Sequence, residues 1–287
     1  MQALRYARAS SVDEAIQMLR DGGPTARVLA GGTDVIVQAR ERRRQIELFV
    51  DIKHIEEVMS LSHDATGLTV GAATPLYRVY GDPDVARLYP GLAQSTHVIG
   101  GTAIQGRASL GGNLANSSPA ADAIPAMMAL NAVANIAGPG GRRQVPVDEF
   151  CTGPGQNVLA DGEFIVSIHL PQPAPHSGSA WERFIPRNEM DIAVANVGTY
   201  LVLDGDTVTH ARIAMGAVAP RTLMVPAAAE ALVGKPVSDE TIAAAGEASK
   251  AAATPIDDMR GSVKQRKHLA AVLTERTIRR AVEMARG

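Results

Sequence analysis

Val28-Leu29-Ala30-Gly31-Gly32-Thr33-Asp34 is the stretch around which this chain is organised. Two apolar residues lead into two glycines, then a hydroxyl and a carboxylate, and Val35-Ile36-Val37-Gln38-Ala39-Arg40 reads as the opening of a helix. Glycine permits backbone conformations that a Cβ forbids and lets a ligand approach the peptide groups. A tight turn whose free N–H groups converge is a ready anion site. A second stretch of the same kind follows at Ala108-Ser109-Leu110-Gly111-Gly112-Asn113-Leu114-Ala115-Asn116. Most Gly-Gly pairs are only turns, so either stretch alone says little. Two on one chain suggest a ligand held from two sides, and a pyrophosphate is the natural candidate.

Composition sets the frame. The chain has 287 residues, which allows about two domains. It is 46% hydrophobic and 20% charged, enough to bury a sizeable core. Lysine and arginine number 28 against 30 acids, which gives no electrostatic case for nucleic acid. Aromatics make up 3%, too few for base-stacking platforms. No apolar run approaches the roughly 20 residues of a membrane span, and Met1-Gln2-Ala3-Leu4-Arg5-Tyr6 carries no apolar leader, so cytoplasmic residence is expected. Cys151 is the only cysteine, which excludes an internal disulfide and a cluster held by four thiolates. The seven histidines show no metal-ligand spacing, so no metal is expected on this chain.

Outward from the first stretch, Ser11-Val12-Asp13-Glu14 reads as a capping box before an amphipathic helix that stops at Gly22-Gly23-Pro24. Glu41-Arg42-Arg43-Arg44 is expected on the helix after the first glycine pair, as a solvated face. Leu48–Ile52 and Leu68–Ala73 read as strands, and Thr74-Pro75 as the start of a helix with proline at its first position. Ile99 to Gly112 is glycine-rich enough to predict an irregular loop, and long irregular loops are usually functional. Pro171 to Ser179 is the best domain boundary. Beyond it Trp181–Ile185, Ala195–Leu203 and Val208–Val218 read as strands, the last two joined by Asp204-Gly205-Asp206. Helices follow around Ala227–Leu232, after Ser238, and from Ser262 to Ala285. Strands followed by helices, without alternation, indicate α+β.

The two glycine stretches and Pro119-Ala120-Ala121-Asp122, in this order and spacing, resemble the FAD-binding (medium) subunit of the molybdenum hydroxylases, the group of carbon monoxide, xanthine and nicotinate dehydrogenases. The resemblance covers the whole chain. It implies an α+β fold: a two-lobed FAD-binding domain of the vanillyl-alcohol-oxidase (PCMH) type, followed by a small domain of antiparallel sheet plus helices. The boundaries are 1–56 and 57–174 for the two lobes and 175–287 for the C-terminal domain. The absence of Gly-x-Gly-x-x-Gly between strand and helix agrees that the fold is not a Rossmann fold.

By the same resemblance, Leu29, Ala30, Gly31, Gly32, Thr33, Asp34 and Val35 would wrap the pyrophosphate and ribityl chain, and Ser109, Gly111, Gly112, Asn113 and Asn116 would meet them from the second lobe. Asp122 would accept from ligand hydroxyls. Ile99 and Ile165 would pack on the isoalloxazine. Arg183 stands where relatives carry a lysine near the pyrimidine edge, with Arg187 as its alternate. The resemblance further implies an electron-transfer subunit with no catalytic acid or base of its own. It would draw electrons from [2Fe–2S] clusters on an iron–sulfur small subunit and hand them to an external acceptor, while a large subunit holds the molybdopterin. With one cysteine, the extra cluster of the 4-hydroxybenzoyl-CoA reductase type is not expected here. A self-contained flavin reductase of the same fold, such as a UDP-N-acetylenolpyruvylglucosamine reductase, is the alternative. It would need a proton donor that the sequence does not offer.

Overall fold

The computed structural model describes residues 4–287; Met1-Gln2-Ala3, part of the stretch expected to carry no apolar leader, lie outside the described residues. Among the described residues the chain builds three larger sheets in succession and one two-stranded hairpin. The first holds β1 (Arg5–Arg8), β2 (Ala26–Leu29) and β3 (Leu48–Asp51), all parallel in the order β1-β3-β2. The helix Val12–Gly22 crosses from β1 to β2, burying Val12, Ala15 and Leu19. Ser11 caps it, its Oγ accepting from Glu14 N–H at 3.1 Å. The expected box is incomplete: Glu14 reaches back to Ser10, one residue earlier, accepting from both its N–H and its hydroxyl. Gly22-Gly23 stops the helix, with Gly23 at φ +58°.

The second sheet contains β4 (Leu61–Asp64), β5 (Gly67–Gly71), β6 (Val133–Gly138) and β7 (Gly141–Pro146). After the hairpin of β8 (Cys151–Gly153) and β9 (Gln156–Asn157) comes β10 (Phe164–Pro171). The order β4-β5-β10-β6-β7 is antiparallel throughout. The central strand β10 reads Phe-Ile-Val-Ser-Ile-His-Leu-Pro, nearly all buried, as a strand covered on both faces must be. A bulge lies between Ile165 and Ser167, and such a bulge re-aims the side chains beside it.

The third sheet is β11 (Ser177–Phe184), β12 (Ala195–Asp204), β13 (Thr207–Gly216) and β14 (Leu223–Met224), antiparallel in that order. Gly205 at φ +57° makes the expected hairpin turn. The strand read as Trp181–Ile185 begins earlier, at Ser177, because Ser177-Gly178-Ser179 pairs with Val202 to Tyr200 rather than forming linker. Gly178 is required there, since a Cβ would lie 2.0 Å from Ala281 O of the last helix. Helix Val263–Ala285 covers this sheet and Asp239–Ala252 packs on that helix, the two capped by Ser262 and Ser238. The helix Ala123–Ala129, buried at all seven positions, lies between the second and third sheets.

Three local readings differ from the structure. The helix carrying Gln38 ends at Arg40, and Glu41 to Arg44 form a turn with Arg42 at φ +56°. Pro75 is itself the N-cap of Leu76–Tyr80, while Thr74 is buried and donates its hydroxyl to Ser60 O. The stretch Ile99–Gly112 is not structureless. It forms a helical turn, Thr102–Gln105, then a second helix, Leu110–Asn116, which contains both glycines of the second pair.

Candidate functional site

The two lobes enclose a cavity of about 730 Å³, in the upper part of the range of roughly 300–1,000 Å³ usual for ligand sites. Ala30 to Val35 form one wall. After β2 ends at Leu29 the chain turns, and Gly32 takes φ +79°, where a side chain is strained. The backbone N–H groups of Gly31, Gly32, Thr33 and Asp34 meet no acceptor among the described residues. Gly31 has a separate task. A Cβ there would stand 2.0 Å from Arg107 O, so this glycine lets the lobes touch, and Arg107 Nε donates to Gly31 O at 3.1 Å. From below, Lys53 Nζ donates to Ala30 O at 2.9 Å and pairs with Asp51 at 2.7 Å. Asp51 is buried, yet its carboxyl lies below the ordinary range. Desolvation pushes it up and is overcome by hydrogen bonds from Lys53 and from Tyr6 Oη.

The second wall is the start of helix Leu110–Asn116. Ser109 caps it, accepting from Gly112 N–H at 3.1 Å. Gly111 sits against β5, where a Cβ would lie 2.5 Å from Ala72 Cβ. Gly112 faces open space, its Cβ position meeting only Ser109 Oγ at 3.2 Å. Asn113 Oδ1 is buried with no hydrogen-bond partner, a cost of about 1–3 kcal/mol unless something fills the cavity. Asn116 Oδ1 accepts from Gln38 Nε2 at 3.2 Å, joining the two walls. Ile99 and Ile165 add apolar surface, Ile165 beside the bulge in β10. Unbonded peptide donors, an orphaned amide oxygen, an open glycine and an apolar end fit a long ligand with an anionic middle.

Leu29, Asp122 and Arg183 stand outside this lining. Leu29 is core, packed with Ala39, Ile46 and Phe49. Asp122 and Arg183 pair with each other at 2.9 Å, both nearly buried. Burial pushes the Asp122 carboxyl up to about 6 against the pull of Arg183, and its Oδ1 has no partner. Arg183 instead walls a neighbouring open recess with Tyr80, His97 and Trp181. Arg187 is exposed and folds back on the Glu189 and Met190 carbonyls.

Sequence reasoning missed Gln38 and three arginines, Arg20, Arg27 and Arg44, that line the cavity. Arg44 is not on a solvated helical face; the turn after Arg40 brings it to the cavity. Alternation along β2 puts Arg27 on the side of the core residue Leu29, so strand spacing gives no signal for Arg27. Cys151 is buried, and burial pushes its thiol up, as an unreactive thiol requires. His63, Asp82 and Asp84 form the one metal-sized group among the described residues, but Asp82 caps a helix and Asp84 holds Arg87.

Residues 2–173 match the family described as the FAD binding domain in molybdopterin dehydrogenase, and residues 183–281 match the CO dehydrogenase flavoprotein C-terminal domain. The chain belongs to this FAD-binding family of molybdopterin dehydrogenases. Within the family, it is 33% identical to the putative xanthine dehydrogenase FAD-binding subunit of Escherichia coli K12, over 98% of this chain and 97% of that one. It is 31% identical to the carbon monoxide dehydrogenase medium chain of Hydrogenophaga pseudoflava, over 96% of each. The fold superposes on the carbon monoxide dehydrogenase of that organism with a TM-score of 0.95, covering 99% of this chain and 98% of the other. It superposes on quinoline 2-oxidoreductase from Pseudomonas putida 86 with a TM-score of 0.92 at 32% identity, covering 99% and 98%. These relatives are subunits of molybdopterin-dependent oxidoreductases, and the cofactor of the family's first domain is FAD. Among the described residues no helix is long and apolar enough to cross a membrane.

Proposed function

We propose that this chain is the flavin-carrying electron-transfer subunit of a molybdenum hydroxylase. It would take electrons from [2Fe–2S] clusters on a small subunit and give them to an external acceptor, while a large subunit with molybdopterin oxidises the substrate. The observation that carries this reading is the cavity between the two glycine stretches, with its unbonded peptide donors and the orphaned Asn113 Oδ1. FAD, when bound, supplies one- and two-electron redox chemistry.

The chain's own residues bind and orient. Gly31, Gly32, Thr33 and Asp34 offer N–H groups to a dianionic pyrophosphate, so no paired cation is needed at that point. Gly112 leaves room on the opposite wall, and Asn113 lies beside it. Ile99 and Ile165 exclude water from the ring end.

Affinity purification of the tagged chain from its native cells, followed by assay for FAD, iron and molybdenum, tests this. All three in one complex, with FAD alone on the isolated chain, is the expected result. FAD on a solitary chain that reduces its own substrate would favour the self-contained reductase. A chain without flavin in either state would overturn the reading.

A further inference from the structure

The open recess that Arg183 walls is a second space, about 650 Å³, separate from the cavity between the glycine stretches. The chain holds one tryptophan and five tyrosines, yet Trp181 and Tyr80 both line this recess. Its aromatic corner is fixed. Tyr80 and His97 meet edge to face, with ring centroids 4.9 Å apart. Buried Gln105 holds both, accepting from Tyr80 Oη at 2.9 Å and donating to His97 O at 2.7 Å. Ala93, Val98 and Ile185 add apolar wall. A slot of this kind suits a flat ring, which gains from contact with aromatic faces and edges.

Several donors at the recess are unused. Gln94 Oε1 accepts from Trp181 N–H at 2.7 Å, which pins the side chain, and its Nε2 has no partner among the described residues. Arg183 spends Nη1 on Asp122 and on Asp191 O, while its Nε and Nη2 bond to nothing among the described residues. Trp181 is 4% exposed, and its Nε1 meets no acceptor. The one acid of the lining, Glu182, is matched by Arg276 and Arg280 at 3.0 and 3.1 Å. Open donors in an apolar slot select a ring that carries carbonyl oxygens. A dinucleotide suits the recess poorly. Its pyrophosphate would want an unmatched cation or a glycine turn, but no glycine lines the recess and its one arginine is paired with Asp122. The recess also adjoins the flavin cavity. Val98 lines the one and Ile99 the other, neighbours about 3.8 Å apart along the chain.

We propose that this recess seats the external electron acceptor and that the acceptor is a quinone, held through a carbonyl oxygen by Gln94 Nε2. This rests on the flavin reading above. Two electrons and two protons leave the fully reduced flavin, which returns to its oxidised form, and the quinone that takes them up becomes the hydroquinone.

The test uses the full-length chain loaded with FAD, with decylubiquinone and NAD+ as probes. Trp181 is the only tryptophan, so its fluorescence reports on the recess. Decylubiquinone is expected to quench it saturably, with equilibrium dialysis giving the same Kd, and NAD+ should neither quench nor compete. After anaerobic photoreduction of the flavin, decylubiquinone should reoxidise it and NAD+ should not. Gln94→Glu keeps an acceptor for Trp181 N–H and replaces the open donor with a carboxylate oxygen. It should weaken quinone binding at least about tenfold, with flavin content and melting temperature unchanged. A flavin-loaded wild type that shows no saturable quinone binding overturns this inference and leaves the flavin reading standing, whether or not the variant folds. So does displacement of the quinone by NAD+, binding that Gln94→Glu leaves intact, or bound quinone that does not reoxidise the flavin. A chain that takes up no flavin overturns the flavin reading, and this inference falls with it.

Discussion

Gly112 and Gly31 look alike in the sequence and do different work. Gly112 opens onto the cavity, whereas Gly31 lets the two lobes close on each other. Gly112→Val should therefore cut FAD retention by at least about tenfold with little change in melting temperature. Gly31→Ala should cost roughly 1–3 kcal/mol of stability by overpacking against Arg107. Flavin content after gel filtration and thermal melts of the flavin-free chain separate the two effects; full flavin loading in Gly112→Val would contradict the assignment of the second wall. Asp122 makes a different statement at the same scale. Its folded-state value of about 6 stands above the ordinary 3.8, so folding favours the protonated acid. Stability from this group is full below about pH 4 and is lost as pH rises to about 6. Asp122→Asn should flatten that slope in melts between pH 4 and 6.5, and equal slopes in both proteins would refute it.

At the scale of elements, the first glycine turn is held from beneath by the segment after β3. Lys53 joins Ala30 O to the buried Asp51, and Tyr6 from β1 completes the group. Lys53→Met should destabilise the chain by about 1–3 kcal/mol and speed flavin loss, because it strips donors from a buried carboxylate and from the turn's own carbonyl. The Asp51 carboxyl lies below the ordinary 3.8 when folded, so its contribution is present above that pH and disappears as pH falls through the lower folded value. Wild-type stability should drop below about pH 4 more steeply than that of Lys53→Met, as read from urea midpoints across pH 2.5–6. These supports also mark what the sequence could reveal. The glycine stretches, the capping residues Ser11, Ser238 and Ser262, and the hairpin at Gly205 are local signals, and local chemistry dictates them. Lys53, Gln38 and Arg107 act across 23, 78 and 76 residues, and no window of sequence carries such pairings. The second glycine pair departs from its local signal for the opposite reason. Its composition speaks for a loop, but Ser109 caps it and packing against Ala72 makes it helix.

At the scale of the molecule, the helix Ala123–Ala129 is shared. It packs under β12 and β13 of the third sheet and against the helices of the second lobe. Gly198 in β12 permits this, since a Cβ there would stand 2.6 Å from Pro125 O. Arg212 from β13 adds two hydrogen bonds to Met128 O and an ion pair with Asp148 at 3.2 Å. A helix buried from both sides couples the two folding units, so calorimetry should give one unfolding transition in the wild type. Gly198→Val should lower it and split it in two, because the added side chain forces the sheet off the helix. A wild type that already melts in two separate steps would refute the coupling.

The bond from Gln38 to Asn116 has a further meaning once time is considered. With the Arg107 bond to Gly31 O and the Arg44 bond to Gly155 O, it ties one lobe to the other around the cleft. A ligand lying beneath such a clasp leaves only when the clasp opens. Its residence is then governed by how often several weak bonds break together, and its equilibrium affinity is a separate matter. Each of these bonds is single, so exchange of bound for free flavin keeps the pace of lobe opening, and a Gln38→Ala chain should exchange faster at nearly unchanged affinity.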